Sequence, residues 1–252
     1  MYKCEREEEI MNLLRQTDYA TVETLSQKMN VSASSIRRDL KNLEERGLVS
    51  RSYGGVKAVN SDGRHIPFSL RSHENSVRKK QIAKAATALI RPGESVFLDG
   101  SSSAYFVAEL LPAIGGVTVF TNSVDVMSVL SGYDIRVFCT GGVISSENRA
   151  VLVGGYAQDF VRGVHADAAI FSVQAVHADG ECYDCYAEEV AVRNRMLENS
   201  ARKILLCDSS KWDKSSTFFQ TNVRDVDFFV SDRDPNPFFT DPYPEKYILA
   251  KG

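Results

Sequence analysis

From residue 95 onward the chain repeats one pattern: a short apolar run, a cluster of Ser, Thr, Asn, Asp or Gly, then a stretch with helical spacing. SVFLDG leads into a helical pattern over 104–111 and VTVFTNS into one over 124–130; IRVFCTGG, AAIFSVQ and KILLCDSSK continue the series, with a further helix expected over 188–200. Apolar runs of this length, without alternation, read as strands buried on both faces. Strands that alternate with helices lie side by side in a largely parallel sheet covered by those helices. The expectation is an α/β fold, a Rossmann-like domain over 72–252.

Ligands of such sheets bind outside the carboxyl ends of the strands. Those ends carry Asp99, Gly100, Ser101, Ser102 and Ser103; Thr121, Asn122 and Ser123; Gly141 and Gly142; and Asp208, Ser209, Ser210 and Lys211. Free backbone N–H groups at a helix start, helped by serine hydroxyls, bind phosphate, and Lys211 adds a fixed positive charge. Any one such loop is equally a helix cap or a turn. Four on one sheet edge point to an anion pocket, with phosphate at 100–103.

The first sixty residues follow another pattern. Ile10, Leu13 and Leu14 share a helix face, as do Val22, Leu25 and Met29 after Thr21, a good N-cap. A third helix is predicted from Ser32 to a stop at Gly47, with Ile36, Leu40 and Leu43 turned inward. Ser34, Arg38 and Lys41 then project from the opposite side, with Arg37 on the flank and Ser32 and Ser35 at the helix start. The chain's net charge is −3, yet residues 32–57 hold six basic side chains against three acidic ones, and that local excess is where DNA contacts are expected. Residues 48–51, a turn at Tyr53-Gly54-Gly55 and residues 56–59 predict a hairpin that carries Arg51 and Lys57. Three helices and a basic hairpin make a winged helix-turn-helix, whose recognition helix reads base edges while its wing touches the backbone.

The stretch VSASSIRRDLKNLEERGLVSRSYGGV resembles the N-terminal signature of DeoR-type bacterial transcriptional regulators. The resemblance continues through DGSSS, TNS, TGG and DSSK, through Gly180, and through Glu188-Glu189 with the helix end at 193–196. It implies a sensor domain similar to ribose-5-phosphate isomerase that binds a phosphorylated sugar, with Glu188 added to the effector-binding residues. It also implies a double-stranded DNA operator of a carbohydrate operon and repression relieved by effector. A homodimer or homotetramer is expected, because one recognition helix reads too few base pairs for genomic specificity. Two segments depart from the family pattern: Phe171-Ser172-Val173-Gln174-Ala175 where a Gly-rich strand end is usual, and Cys182-Tyr183-Asp184-Cys185 in place of a Thr-Pro-like stretch.

Residues 61–71, polar and aperiodic, read as a connector between a DNA-binding domain over 1–60 and the larger domain. No apolar run is long enough for a membrane helix, and the acidic N-terminus is unlike a signal peptide, so a cytoplasmic protein without membrane contact is expected. Five scattered cysteines argue against a disulfide framework. His177 with Cys182 and Cys185 offers three soft ligands where a closed zinc site needs four, so neither metal nor other cofactor is expected. A thiol pair made redox-sensitive by the following helix start is the other reading beside plain packing. An isomerase fused to a DNA reader is the alternative function, with Asp99, Glu188 and Lys211 as its acid-base groups. No catalytic residue is assigned, because a regulator gains from keeping its ligand unconverted.

Overall fold

The computed structural model describes residues 3–17, 20–46, 48–52, 55–58, 68–233 and 244–251. The chain divides between Glu74 and Asn75 into two units, each with its own core.

The first unit contains α1 (Lys3–Thr17), α2 (Val22–Met29), α3 (Ala33–Glu45), β1 (Val49–Ser52), β2 (Gly55–Ala58) and α4 (Phe68–His73). Ile10, Leu14, Leu25, Ile36, Leu40 and Leu43 are all shut off from water, and with Val49 and Val56 they form one cluster. Each such side chain contributes about 1.5–3 kcal/mol by burial. Both expected caps are present: Thr21 Oγ1 accepts from Thr24 N at 3.0 Å and Ser32 Oγ from Ser35 N at 3.3 Å. β1 and β2 pair antiparallel, and Ala20 exchanges two backbone hydrogen bonds with Val56, so the segment before α2 adds a third rung to the wing. Arg46 caps the end of α3. The expected stop at Gly47, the turn at 53–54, residue 59 of the hairpin arm and residues 61–67 of the connector lie outside the described residues, while residues 68–71 open α4.

The second unit is built on seven strands in the order β14-β13-β11-β8-β3-β4-β5, every neighbouring pair parallel. They are β3 (Ser95–Leu98), β4 (Thr118–Thr121), β5 (Arg136–Cys139), β8 (Ala168–Ser172), β11 (Lys203–Cys207), β13 (Phe228–Ser231) and β14 (Tyr247–Leu249). Side chains alternate between two faces. Val96, Leu98, Val119, Ile170 and Leu206 pack against α5 (Ser76–Thr87), α6 (Ser102–Ala108) and α7 (Val124–Leu130), whereas Phe97, Phe171, Leu205 and Phe229 pack against α8 (Gly155–Arg162) and α9 (Ala187–Glu198). Smaller antiparallel pieces sit beyond the strand ends: a hairpin of β6 (Val143–Ile144) and β7 (Leu152–Val153), and a sheet of β9 (Ala175–Val176), β10 (Glu181–Asp184) and β12 (Phe218–Asn222). The helix α8 and these pieces have no counterpart among the sequence expectations.

Candidate functional site

On the first unit, Ser34, Arg37, Arg38 and Lys41 are all exposed on α3, with Ser32 exposed and Ser35 half-buried at its start. The basic residues differ in their company. Arg37 lies 3.7 Å from Glu23, Lys41 3.8 Å from Glu45 and Arg51 3.9 Å from Glu44. Pairs this long and this exposed contribute well under ~1 kcal/mol and yield readily to phosphate. Among the described residues Arg38 has no ion-pair partner. Lys57 stands opposite Ser50 on the wing; its side chain lies outside the described residues. The charge count over 32–57 overstates the free cations, because Arg46 is tied to Glu7 at 2.7 Å. It misreads Asp39 as well: that carboxylate is buried in a two-pronged pair with Arg6, Nε to Oδ2 at 2.8 Å and Nη2 to Oδ1 at 3.1 Å, which locks α1 to the recognition helix from behind.

On the second unit, the strand ends gather the predicted loops at one sheet edge, and their polar groups divide into two classes. Some are spent on the fold: Ser101 Oγ caps α6, Ser123 Oγ caps α7, and Thr121 Oγ1 donates to Leu98 O at 2.8 Å. Others are not. Ser103 Oγ and Asn122 Oδ1 are buried and have no hydrogen-bond partner among the described residues. Gly141 and Gly142 are exposed with φ of +66° and +103°, and a Cβ on Gly142 would meet Val153 O at 2.5 Å. A Cβ on Gly100 would fall 1.9 Å from Val151 Cγ1, so the strand-end loop lies directly under the β6–β7 hairpin.

Two lysines reach these loops. Lys211 Nζ donates to Ser172 Oγ at 2.6 Å and lies 4.0 Å from Asp208. Lys79, in the first turn of α5, is buried and donates to Ser102 Oγ at 3.1 Å. Its neighbours are also engaged within the unit: Arg78 donates to Ser209 Oγ at 2.9 Å, and Lys80 Nζ sits 5.7 Å from the centre of the Phe106 ring. Burial pushes the Asp208 carboxyl up, but Lys211, hydrogen bonding from Ser210 and Lys79 together hold it below its ordinary value.

Beneath the loops lies a buried charge network. Arg193 on α9 donates to Asp99 Oδ2 at 3.0 Å, to Asp184 Oδ2 at 2.8 Å and to Gln220 Oε1 at 2.7 Å, with Glu189 at 3.9 Å. Burial alone would push the guanidinium down; Asp184, Asp99 and Glu189 outweigh that and hold it above its ordinary value. Asn148 from the hairpin turn donates to Glu189 at 2.7 Å. Of the two acidic residues that open α9, Glu188 faces solvent and Glu189 turns into the network. Asp99 also accepts from Ser101 N at 3.1 Å and Ser172 N at 3.2 Å, so the fold already occupies its oxygens.

The chain matches two family models, one for the helical unit and one for the parallel-sheet unit. The one described as the DeoR-like helix-turn-helix domain covers residues 6–62, and the one described as the DeoR C terminal sensor domain covers residues 74–233. The chain belongs to the DeoR family. It is 31% identical to the HTH-type transcriptional regulator GlpR of Haloferax volcanii over 92% of this chain and 91% of that one. It is 30% identical to the L-fucose operon activator of Haemophilus influenzae over 90% and 91%, and 30% identical to the HTH-type transcriptional repressor GlcR of Bacillus subtilis over 96% and 93%. Among solved structures, ribose 5-phosphate isomerase a from Methanocaldococcus jannaschii aligns with a TM-score of 0.41 at 15% identity, covering 55% of each chain.

The protein is therefore a DeoR-type, DNA-binding transcriptional regulator. Of the two segments expected to depart from the DeoR pattern, 171–175 supplies Ser172, which accepts from Lys211, and 182–185 supplies Asp184, which accepts from Arg193. The cysteines beside them are set for packing. Cys182 is fully buried in the α9-side core, and burial pushes the thiols of Cys182 and Cys185 up to about 12, the reverse of a redox-primed pair. His177 lies with Asp179 and Glu181 at the β9–β10 turn, ligand atoms within 4.8 Å of one another, and its ring stacks on Tyr183 at 4.4 Å. Among the described residues no helix is long and apolar enough to cross a membrane.

Proposed function

We propose that this DeoR-type regulator represses a carbohydrate operon and releases its operator when a phosphorylated sugar fills the strand-end pocket of the second unit. The observation that carries the reading is the approach of two lysines to loop hydroxyls, Lys79 at Ser102 and Lys211 at Ser172, beside the buried, unpartnered Ser103 Oγ and Asn122 Oδ1. Two cations suit a phosphate, and buried polar atoms suit the hydroxyls of a sugar, since each such atom left alone costs about 1–3 kcal/mol. Gly100, Gly141, Gly142 and Glu188 complete the proposed effector-binding set, with Asp99, Ser101, Thr121 and Ser123 shaping its floor while their side-chain oxygens hold the fold. Relatives include both an operon activator and a repressor; repression follows the commoner family behaviour.

The DNA contacts fall to Ser32, Ser34, Ser35, Arg37, Arg38, Lys41, Arg51 and Lys57. Residues 1–60 act as the reader, 61–71 as the connector and 72–252 as the sensor, in a cytoplasmic homodimer or homotetramer that presents paired readers to two half-sites. Control is by linkage: the effector prefers one arrangement of the sensors, and that preference changes how well the readers meet the operator. A thermal-shift series with aldose and ketose phosphates, and with the same sugars unphosphorylated, tests it. A rise in Tm is expected with a phosphorylated sugar and not with its parent; equal shifts with both would remove the phosphate from the reading.

A further inference from the structure

The first turn of α5 is where the chain enters the second unit, and that turn is bonded to the same loops that hold Lys211 and Ser102. Asn75, the first residue after the division between units, has φ of +55° and ψ of +29°; its side chain does not cap α5. Asn is a favoured N-cap, yet here its Nδ2 donates to Ser210 Oγ at 3.0 Å, across 135 residues of chain. One turn on, Arg78 donates to Ser209 Oγ at 2.9 Å and lies 3.5 Å from Asp232, which itself accepts from Ser209 N at 2.7 Å. The next residue, Lys79, holds Ser102. Ser209 and Ser210 therefore face α5, while Lys211, next in sequence, reaches Ser172 at the pocket.

The rest of α5 is anchored, since Ile82, Ala83 and Ala86 are fully buried. Its first turn is held by the polar contacts just named, with Val77 69% exposed beside them. An anion that draws Lys211 toward itself alters the 208–211 turn, whose Ser210 and Ser209 are bonded to Asn75 and Arg78, and one that draws Lys79 pulls on the residue next to Arg78. We propose that Asn75 and Arg78 are the coupling residues of this regulator: they convert occupancy of the strand-end pocket into a displacement of the chain where it leaves for the DNA-reading unit. The inference rests on the effector reading above and adds the route by which it acts.

The experiment uses the full-length protein, a DNA duplex selected from random sequence by the wild type, and three probes: glucose 6-phosphate, fructose 1-phosphate and ribose 5-phosphate. Duplex affinity is measured with and without each probe, and probe affinity by calorimetry, for wild type, Asn75→Gly, Arg78→Met and Arg78→Lys. Glycine tolerates the left-handed backbone, so Asn75→Gly removes the side chain without strain. Wild-type duplex affinity is expected to change by roughly 5–150-fold with an active probe, the usual span of allosteric coupling. In Asn75→Gly and Arg78→Met that change should shrink below about twofold, with duplex affinity, probe affinity and Tm close to wild type. Arg78→Lys, which keeps the charge, should restore part of the response. Full wild-type coupling in both variants overturns the route and leaves the effector reading standing. A wild type indifferent to all three probes overturns the effector reading, and the route with it.

Discussion

Arg193 Nε and Asp99 Oδ2 meet at 3.0 Å although the two residues stand 94 positions apart in the chain, both shut off from water. The contact joins α9, on one face of the sheet, to the loop after β3 that opens α6 on the other. Its strength lies in what its loss would leave behind. Removing one partner of a buried pair strands the other's charge and costs about 3–5 kcal/mol. Arg193→Met should lower unfolding stability by that amount in urea titrations, since Asp99 and Asp184 both lose their cation. A loss below about 1 kcal/mol would mean that both carboxylates reach water or protonate at little cost.

Arg38, exposed and without an ion-pair partner among the described residues, is the side chain of α3 with least to give up on meeting a base. Arg38→Ala should weaken operator binding by about 1–3 kcal/mol and relax specificity at one base pair. Lys57→Ala should weaken all sequences alike and lower the salt slope by about one unit. Binding isotherms across a salt series, on operator and scrambled duplex, separate the two outcomes; unchanged affinity in both variants would remove the assigned DNA contacts.

Lys211→Met should abolish the effector response while leaving operator affinity near wild type, because Lys211 lies in the second unit. Ser102→Asp should do the same by setting a carboxylate beside Lys79 where an anion would bind. Ser102 is buried, so the Tm of this variant is recorded alongside. Operator release at wild-type effector concentrations in both variants would place the ligand elsewhere.

The thiols of Cys182 and Cys185, pushed up to about 12 by burial, are protonated at neutral pH, and burial likewise raises that of Cys207. Alkylation by iodoacetamide, followed by mass spectrometry, should find all three nearly unmodified in the native protein and fully modified in guanidinium. Rapid native labelling of Cys185 would restore the redox reading.

The Asp208 carboxyl is held below its ordinary value in the folded chain. A depressed carboxyl contributes stability that is present above its unfolded value of ~3.9 and is lost as pH falls through the lower folded value. The stability gap between wild type and Asp208→Asn should therefore be largest near neutrality and shrink below about pH 4. A gap that widens on acidification would reverse the sign assigned to this group.

Legibility in the sequence followed the range of the interactions. Thr21, Ser32, Ser101 and Ser123 cap their own helices within three residues, so local reading finds them, and β3, β4, β5, β8 and β11 announce themselves by unbroken apolar runs, whereas β13 and β14 have no counterpart among the expectations. Arg193 is different: its partners at 99, 184 and 220 come from three separate elements, and no spacing in the chain relates them. Lys79 is hidden from a local reading for the same reason, since Ser102 reaches it only after α5 and α6 pack together. Asp39 and Arg46 entered a charge sum as free ions although Arg6 and Glu7 from α1 neutralise them. The helix α8 escaped because a short helix opened by two glycines shows too little periodicity to separate from a loop.

Gly100 lies against Val151, and the consequence spreads beyond that contact. Val151 belongs to the turn that presents Asn148; Asn148 holds Glu189, which neighbours Arg193, and Arg193 returns to Asp99, the residue before Gly100. The contacts close into a ring, and a ring has no independent member. An engineer who wishes this sensor to answer a different metabolite cannot enlarge the loop at 100 without moving the hairpin, nor move the hairpin without loosening the arginine. A residue open to exchange by itself is one outside the circuit, Ser103 first; Asn122 is not, since its side chain and carbonyl both bond Leu152 of the hairpin.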